Sequence, residues 1–474
     1  MLFWLLTTPA LAATLTVTSD ADSGAGTLRE ALASAVDGDD IVFNGVTVVT
    51  LSSGLTVAAD VLIDGGGVTL ESDGGNFSIL TVGSDVTFTA QDLTFAGGFR
   101  SGTNRGAGLS NDGTTTLIRS VIRDCAAFNA AGFDNRGRLT LLDAAIVGNQ
   151  TTGNSGAGGT NSATLVAVNT TFANNVATGS GRVGGGLAQF GDTSTSTLSH
   201  VTFAHNSATG QGGGFYVSEG TATLRNTLFA NNAAPSGPDV WGISTSQGYN
   251  LIEQADGLTL EGAIASDQVG VTGSVQDLDE SGFPVVPIDR DSSAFEAGSC
   301  TDIDGASVSI DGRGLARPQG FTCDIGAYEV MVETIETVTA EPAGDLCREG
   351  GQRRDTGFDL NADGTLNEDE IVSTIYVCTE TGEVTTLVSV TLVPPGADCG
   401  AGGQRIDVGV DDNDDAVLSD DEIDETTFVC TTVETETIEV TTTESTGCST
   451  APGWAWGLWV APLAFLRRSR NAVA

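Results

Sequence analysis

Lysine is absent: all 19 basic residues of this chain are arginine. That excludes Schiff-base chemistry, a Walker-type phosphate-binding lysine and any lysine-rich nucleic-acid patch. Positive charge is scarce altogether. The 19 bases face 62 acids, for a formal charge of −43, and a field of that sign repels phosphate backbones. Nucleic acid is therefore not an expected partner. Tryptophan is rare at 5 residues, whereas glycine supplies 63 without a Gly-X-Y period, which points to tight turns and away from collagen. The apolar fraction of 40% is enough for a core. A length of 474 residues fits one large body with smaller modules.

The first residues read as an export leader, 1–13. It carries the apolar run Leu2-Phe3-Trp4-Leu5-Leu6 and the small-residue site Ala10-Leu11-Ala12, after which cleavage fits. The cysteines agree with that address. Of the 8 cysteines, six fall in local pairs: Cys300 with Cys323, Cys347 with Cys378, and Cys399 with Cys430. An oxidising compartment lets such pairs close as disulfides. Cys125 and Cys448 are left over.

A repeat runs through the first two thirds of the chain, where no stretch sustains a 3.6-residue hydrophobic period. Phe172-Ala173-Asn174-Asn175 returns as Phe203-Ala204-His205-Asn206 and as Phe229-Ala230-Asn231-Asn232. Weaker copies begin at Phe95, Ile122 and Ile146. The six apolar leaders are separated by 27, 24, 26, 31 and 26 residues. A glycine mark follows each, as in Gly132-Phe133 and Gly214-Phe215, and short alternating strands such as Thr164 to Val168 lie between. A period near 26 residues with short strands is what a parallel β-helix requires, since a single coil cannot bury its own apolar face. The Asn three residues after each leader falls in a turn, so Asn149, Asn175, Asn206 and Asn232 are expected to form a side-chain ladder. Cys125 occupies the same slot and reads as a small buried residue, with no histidine nearby in sequence to activate it.

Gly184-Gly185-Gly186-Leu187 and Gly212-Gly213-Gly214-Phe215, alternating with Phe-x-x-Asn, resemble the repeats of chlamydial polymorphic outer membrane proteins over about residues 95–235. That resemblance implies a surface adhesin built on a β-helix. The pattern predicts an all-β protein, a right-handed parallel β-helix of the pectin-lyase-like kind, with two small disulfide-linked acidic β modules. At the N-terminus, residues 14–43 are expected to cap the helix through a short amphipathic helix at Thr27-Leu28-Arg29-Glu30-Ala31-Leu32, since an open coil is an exposed sheet edge. The leader motif Leu-Arg-Glu-Ala is similar to that of secreted β-helix proteins. Residues 44–330 are read as the β-helix, roughly eleven coils, with a closing segment. Within it, Ser292 to Gly298, Asp311-Gly312-Arg313-Gly314, Arg317-Pro318 and Cys323 to Glu329 resemble the end of bacterial choice-of-anchor domains. Arg313, Arg317 and Asp324 are read there as ion-paired structural residues.

Beyond Val330 the composition changes. Between Met331 and Gly447, 28 acids face four arginines, in two copies offset by 52 residues: Cys347 to Cys399 and Cys378 to Cys430. The copies bound modules at 331–380 and 381–432. The first holds Asp359, Asn361, Asp363, Gly364, Thr365 and Glu370 at the spacing of a twelve-residue calcium loop, with the Thr365 carbonyl as one ligand. The second offers Asp411, Asn413, Asp415, the Val417 carbonyl and Glu422, with Ala416 in place of the glycine. β-Branched residues follow each loop, so strands are expected there and a structural Ca2+, not an EF-hand switch. A Thr/Glu-rich linker, 433–447, leads to a tail, 448–474. There Cys448, an apolar run from Gly453 to Leu466 and Arg467-Arg468-Ser469-Arg470 resemble a myxobacterial C-terminal sorting signal. That resemblance implies transient membrane insertion, processing near Cys448 and an outer-surface address.

For chemistry, the best local cluster in the repeats is Asp134 with Arg136 and Arg138; Asp192 with His200 and His205 is another. Neither matches a lyase or glycosidase motif. The function expected from sequence is a surface adhesin or glycan-binding protein without catalysis. The alternative is a polysaccharide lyase or glycosidase acting on the β-helix face. The feature that separates them is whether arginine and several acids share a groove.

Overall fold

A computed structural model describes residues 12–102, 106–153, 155–344, 346–379, 386–394, 399, 403–411 and 416–430. Its larger part is a parallel β-solenoid of about nine turns. One column of strands runs Thr14–Val17, Asp39–Phe43, Val61–Ser72, Thr87–Ala96, Thr114–Ile118 and onward to Leu258–Glu261, every neighbour parallel. Two further columns run through Val121–Arg123 and Thr171–Ala173 and through Phe133–Asn135 and Phe215–Val217, and a short one of two-residue strands runs from Phe99–Arg100 to Ser207–Ala208.

The apolar leaders stack as their spacing predicts. Phe95, Ile122, Ile146, Phe172, Phe203, Phe229 and Ile252 are successive register partners, and all are fully buried. The rings of Phe172 and Phe203 lie 4.7 Å apart and 8° from parallel; those of Phe203 and Phe229 lie 4.8 Å apart at 5°. That separation is the spacing of hydrogen-bonded strands, so each ring follows its backbone without adjustment.

At the corner beyond the leaders runs a ladder of amides. Asn149 donates its side-chain amide to Asn175 Oδ1 at 3.0 Å, Asn175 to Asn206 at 2.9 Å, and Asn206 to Asn232 at 3.0 Å. Each Oδ1 also accepts the backbone N–H of the preceding rung, and each Nδ2 also reaches a carbonyl one coil back, such as Ile122 O. The ladder ends on the Asp239 carboxylate, 2.9 Å from Asn232 Nδ2. Cys125 sits at its start, buried, with its backbone N–H on Asn149 Oδ1 at 3.0 Å; burial pushes its thiol up to about 12. The residue before each rung, from Asp124 through Asn174 and His205 to Asn231, takes a left-handed backbone with φ between 54° and 67°.

A second ladder escaped the sequence reading. Asn111 donates to Asn135 at 2.8 Å and Asn135 to Asn161 at 2.8 Å, all three fully buried. Its signal was available: Asn111, Asn135 and Asn161 repeat at offsets of 24 and 26 residues.

The N-terminal segment is a rung as well as a cap. Thr14–Val17 already pairs with Asp39–Phe43, and the helix Leu28–Ser34 between them buries Leu28, Ala31 and Leu32 in the core. Thr27 caps that helix by accepting the Glu30 N–H, while Glu30 takes the N–H of Gly26, the residue before the cap, at 2.6 Å.

The coils do not extend to residue 330. The last solenoid pairing is Gln268–Val269 on Leu251–Ile252, and residues 271–330 fold back as a strap along the side of the coils. Glycine and proline at Gly270, Gly273, Pro284 and Pro287 remove the donors and side chains that another coil needs. Val286 packs on Val121, Ala145, Val147, Ala173 and Ala204. Ala294 and Ile325 pack on Leu228 and Leu251. Within the strap Arg317 pairs with Glu329 at 2.8 Å, both side chains buried, and Arg313 pairs with Asp311 at 2.6 Å while lying over the Tyr328 ring. Asp324 is held differently from the ion pair read from sequence: its carboxylate accepts the N–H groups of Glu296 and Val330. Burial, with Glu329 nearby, pushes that carboxyl up to about 7.

The two acidic repeats share one antiparallel sheet. Glu333–Glu341, Gly351–Asp359 and Ile371–Cys378 form the first meander; Thr386–Val393, Gly403–Val410 and Ile423–Cys430 form the second, joined edge to edge. Both carry the same bulge, at Thr356/Gly357 and Val408/Gly409, where any Cβ would meet the carbonyl of Glu370 or Glu422. Arg290 of the strap donates to the Asp359 and Met331 carbonyls, and Phe321 meets Phe358 edge-on at 5.4 Å. Truncating Phe203 to Ala opens the middle of the ring column and is expected to cost about 3–5 kcal/mol, read as a lower urea midpoint than that of the wild type.

Candidate functional site

The outward side of the second column explains where the strap stops. One outward row runs Thr50, Glu71, Ala96 and Arg123, then turns small and apolar through Val147, Ala173, Ala204 and Ala230. The strap docks on the apolar stretch and ends its cover at Phe283 and Pro284. The polar stretch stays open as a groove of about 640 Å³, lined by Val48, Thr69, Glu71, Thr94, Arg119 and Arg123.

Its charges are organised in pairs. Arg119 grips Asp92 with both ends, Nε to Oδ1 at 2.8 Å and a terminal nitrogen to Oδ2 at 2.7 Å. That contact holds the Asp92 carboxyl below its usual range and the Arg119 guanidinium above its own. Arg123 bridges Asp124 at 2.7 Å and Glu280 of the strap at 3.0 Å. Groove and strap therefore share a charged rim. Arginine and several acids do occupy one groove, assembled from strands 20 to 50 residues apart and illegible as a local cluster.

The clusters read from sequence lie elsewhere. Asp134 is fully buried, 3.0 Å from Arg136 Nε, which also reaches Asp112 at 3.2 Å. Arg138 opens the strand Arg138–Leu142 with its side chain exposed. Asp192 is exposed in a loop. Both histidines occupy left-handed corners, φ 53° and 58°, and face the strap: His200 Nε2 lies 2.8 Å from Ser299 O, and His205 Nε2 lies 2.8 Å from Gln276 O. His200 therefore carries its proton on Nε2, since a carbonyl only accepts. It is fully buried, and burial followed by the nearby Arg317 charge pushes its pKa down to about 3. His200 is a strap anchor.

The first acidic loop folds on its own amides. Asp359 accepts from the N–H groups of Asp363 and Gly364 at 3.1 Å, and Glu370 from those of Leu360 and Asn367 at 2.9 Å. Asp363 accepts the Thr365 N–H at 2.8 Å. Asp359 and Glu370 are buried, and Gly364 turns with φ 74°. The donor set is all hard oxygen, the chemistry that suits Ca2+. Among the described residues, however, no three acidic, histidine or cysteine side chains gather as an ion-holding group. The second loop repeats the wiring: Ala416 N–H donates to Asp411 Oδ2 at 2.8 Å, and Ser419 N–H to Glu422 at 2.9 Å. Val417 is exposed. Asn413, Asp415, the linker and Cys448 lie outside the described residues, as do residues 1–11 of the leader.

All three cysteine pairs are closed, Cys300–Cys323, Cys347–Cys378 and Cys399–Cys430, with Cα separations of 5.1 to 5.3 Å. Closed disulfides fit an oxidising compartment. Among the described residues no helix is long and apolar enough to cross a membrane.

The fold and site define a parallel β-solenoid carrying a strap, a charged groove and a twice-repeated disulfide meander. A family model described as a domain of unknown function, DUF7151, matches residues 334–378 and 386–430, which coincide with the two three-stranded repeats. No curated protein matches the chain.

Two outcomes follow. An unfolded histidine titrates near 6.5, so the unfolded chain binds a proton that folded His200 refuses. Stability is therefore lost as pH falls from about 6.5 toward 3. Between pH 7 and 4.5 the His200→Gln variant is expected to lose about 2–3 kcal/mol less than the wild type, measured by urea unfolding at both pH values. Ala416 holds φ 60° where the first repeat has glycine. Ala416→Gly is expected to stabilise the second repeat by about 0.5–1 kcal/mol, seen as a higher melting temperature.

Proposed function

We propose that this chain is an exported, cell-surface-anchored β-helix protein that binds a glycan in the groove between Glu71 and Phe283, without catalysis. The observation that carries this reading is the groove itself: hydroxyls and paired charges line a strip of the solenoid that the strap leaves uncovered. Threonine hydroxyls and fixed carboxylate–guanidinium pairs offer donors and acceptors of both kinds to sugar hydroxyls. Proton transfer at neutral pH needs a group poised near that pH. Asp92 and Arg119 are instead each held further into their charged forms.

The leader, the sorting tail at Cys448 and the resemblance to polymorphic outer membrane and choice-of-anchor proteins support the surface address. Closed disulfides are consistent with it. The acidic repeats then act as a stalk, with Ca2+ at the first loop as a brace that replaces amide contacts of Asp359, Asp363 and Glu370. A second reading, a polysaccharide lyase or glycosidase, draws on one observation: arginines and acids meet in a single groove on the solenoid face.

The full chain is tested on a glycan array with and without calcium, alongside assays for new reducing ends and unsaturated products. Binding without turnover is expected, weakened at least about tenfold in Arg119→Ala and Arg123→Ala, the equivalent of about 1.4 kcal/mol. Product formation would move the assignment to the enzyme reading. Silence on every glycan would leave a spacer. Calcium is expected to raise the melting temperature of the wild type and not of Glu370→Gln.

A further inference from the structure

The first rung of the solenoid contains a buried carboxylate held below its usual range by backbone N–H groups. Asp39 is 3% exposed and opens the strand Asp39–Phe43. Its Oδ2 accepts the Val36 N–H at 2.9 Å and its Oδ1 accepts the Ala13 N–H at 2.8 Å. Among the described residues no arginine pairs with it, and the chain has no lysine. A charge removed from water calls for an opposite charge or a full set of donors.

Ala13 is also the residue that follows Ala10-Leu11-Ala12. We infer that the mature chain begins at Ala13, one residue earlier than the 1–13 leader bounds read from sequence, and that its α-ammonium pairs with Asp39. A leader-removing endopeptidase hydrolyses the Ala12–Ala13 bond. Water adds at the Ala12 carbonyl carbon and the C–N bond breaks. Ala12 leaves as a carboxylate, and the Ala13 nitrogen takes up protons to become an ammonium.

That nitrogen already stands 2.8 Å from Asp39 Oδ1, so a neutral amide contact becomes an ion pair without movement. The register selects this bond over its neighbours. The Ala13 carbonyl accepts the Asp40 N–H at 2.9 Å, placing Ala13 within the first parallel pairing. A start at Thr14 deletes that bond and one of the two donors to Asp39. A start at Ala12 sets the ammonium one residue away from the carboxylate.

This inference rests on the export reading, and the lysine-free composition makes the test clean, because the α-amine is the only primary amine in the chain. The full-length protein is expressed, recovered from outside the cytoplasm, weighed intact and treated with an amine-acylating reagent before peptide mapping. The expected result is a single label on Ala13. Labelling near pH 8 should be about fivefold slower in the folded protein than in urea, because a paired ammonium titrates about one unit higher. Asp39→Asn should bring the folded rate to the unfolded one. The wild-type comparison between buffer and urea stands by itself should that variant fail to fold. An exported chain that begins at any other residue overturns the inference and leaves export intact. Recovery only inside the cytoplasm with Met1 retained overturns the export reading itself. A start at Ala13 with equal rates in buffer and urea overturns the ion pair.

Discussion

Stacking one coil on the next at strand spacing is the constraint on which the rest of this molecule depends. A column of Phe and Ile leaders fills the axis, and asparagine amides close the corners beside it. Each interaction is repeated because the backbone repeats. A ring placed 4.7 Å above another ring meets it face to face, and an amide placed above an amide donates to its oxygen. Neither is available to a single coil. The ladder also satisfies corner backbone that left-handed residues would otherwise strand inside the protein. Where the amide is missing, at Cys125, the slot still takes a small buried side chain whose raised pKa makes it inert.

The strap converts this uniform rod into an object with a defined front. Small apolar residues point outward along one part of the solenoid, from Val147 to Ala230, and residues 271–330 cover them. Burying that row yields hydrophobic stabilisation, and the two histidines and Arg225 at the corners provide polar anchors for the covering segment. Where the outward row becomes Glu71 and Arg123, docking ends, because burying charges costs more than the contact returns. The groove is thus a boundary effect: the part of the face too polar to cover.

The acidic repeats obey a different logic. Their density of negative charge is tolerated because the carboxylates that turn inward, at Asp359, Glu370, Asp411 and Glu422, meet backbone N–H groups at the loop ends. Asp355 and Asp407, buried as well, each accept from an arginine Nε and a threonine hydroxyl instead. A matching bulge and a matching disulfide in each copy show that duplication preserved the wiring as well as the sequence, even where Ala416 takes a turn suited to glycine.

The amino-acid sequence alone determined the parallel β-helix, the column of leaders, the Phe-x-x-Asn corners, the three cysteine pairs and the duplication of the acidic modules. All of these are periodic or local, and a period in sequence maps directly onto a period in space. The second ladder was legible by the same rule, in the recurrence of Asn111, Asn135 and Asn161. Only the tertiary structure decided that residues 271–330 return along the side, that His200 and His205 anchor the strap, and that Arg119 meets Asp92 across 27 residues. The groove has no local signature. Its residues come from separate coils and from a strap whose path is set by which outward positions are apolar, and that choice is made only once the coils have stacked.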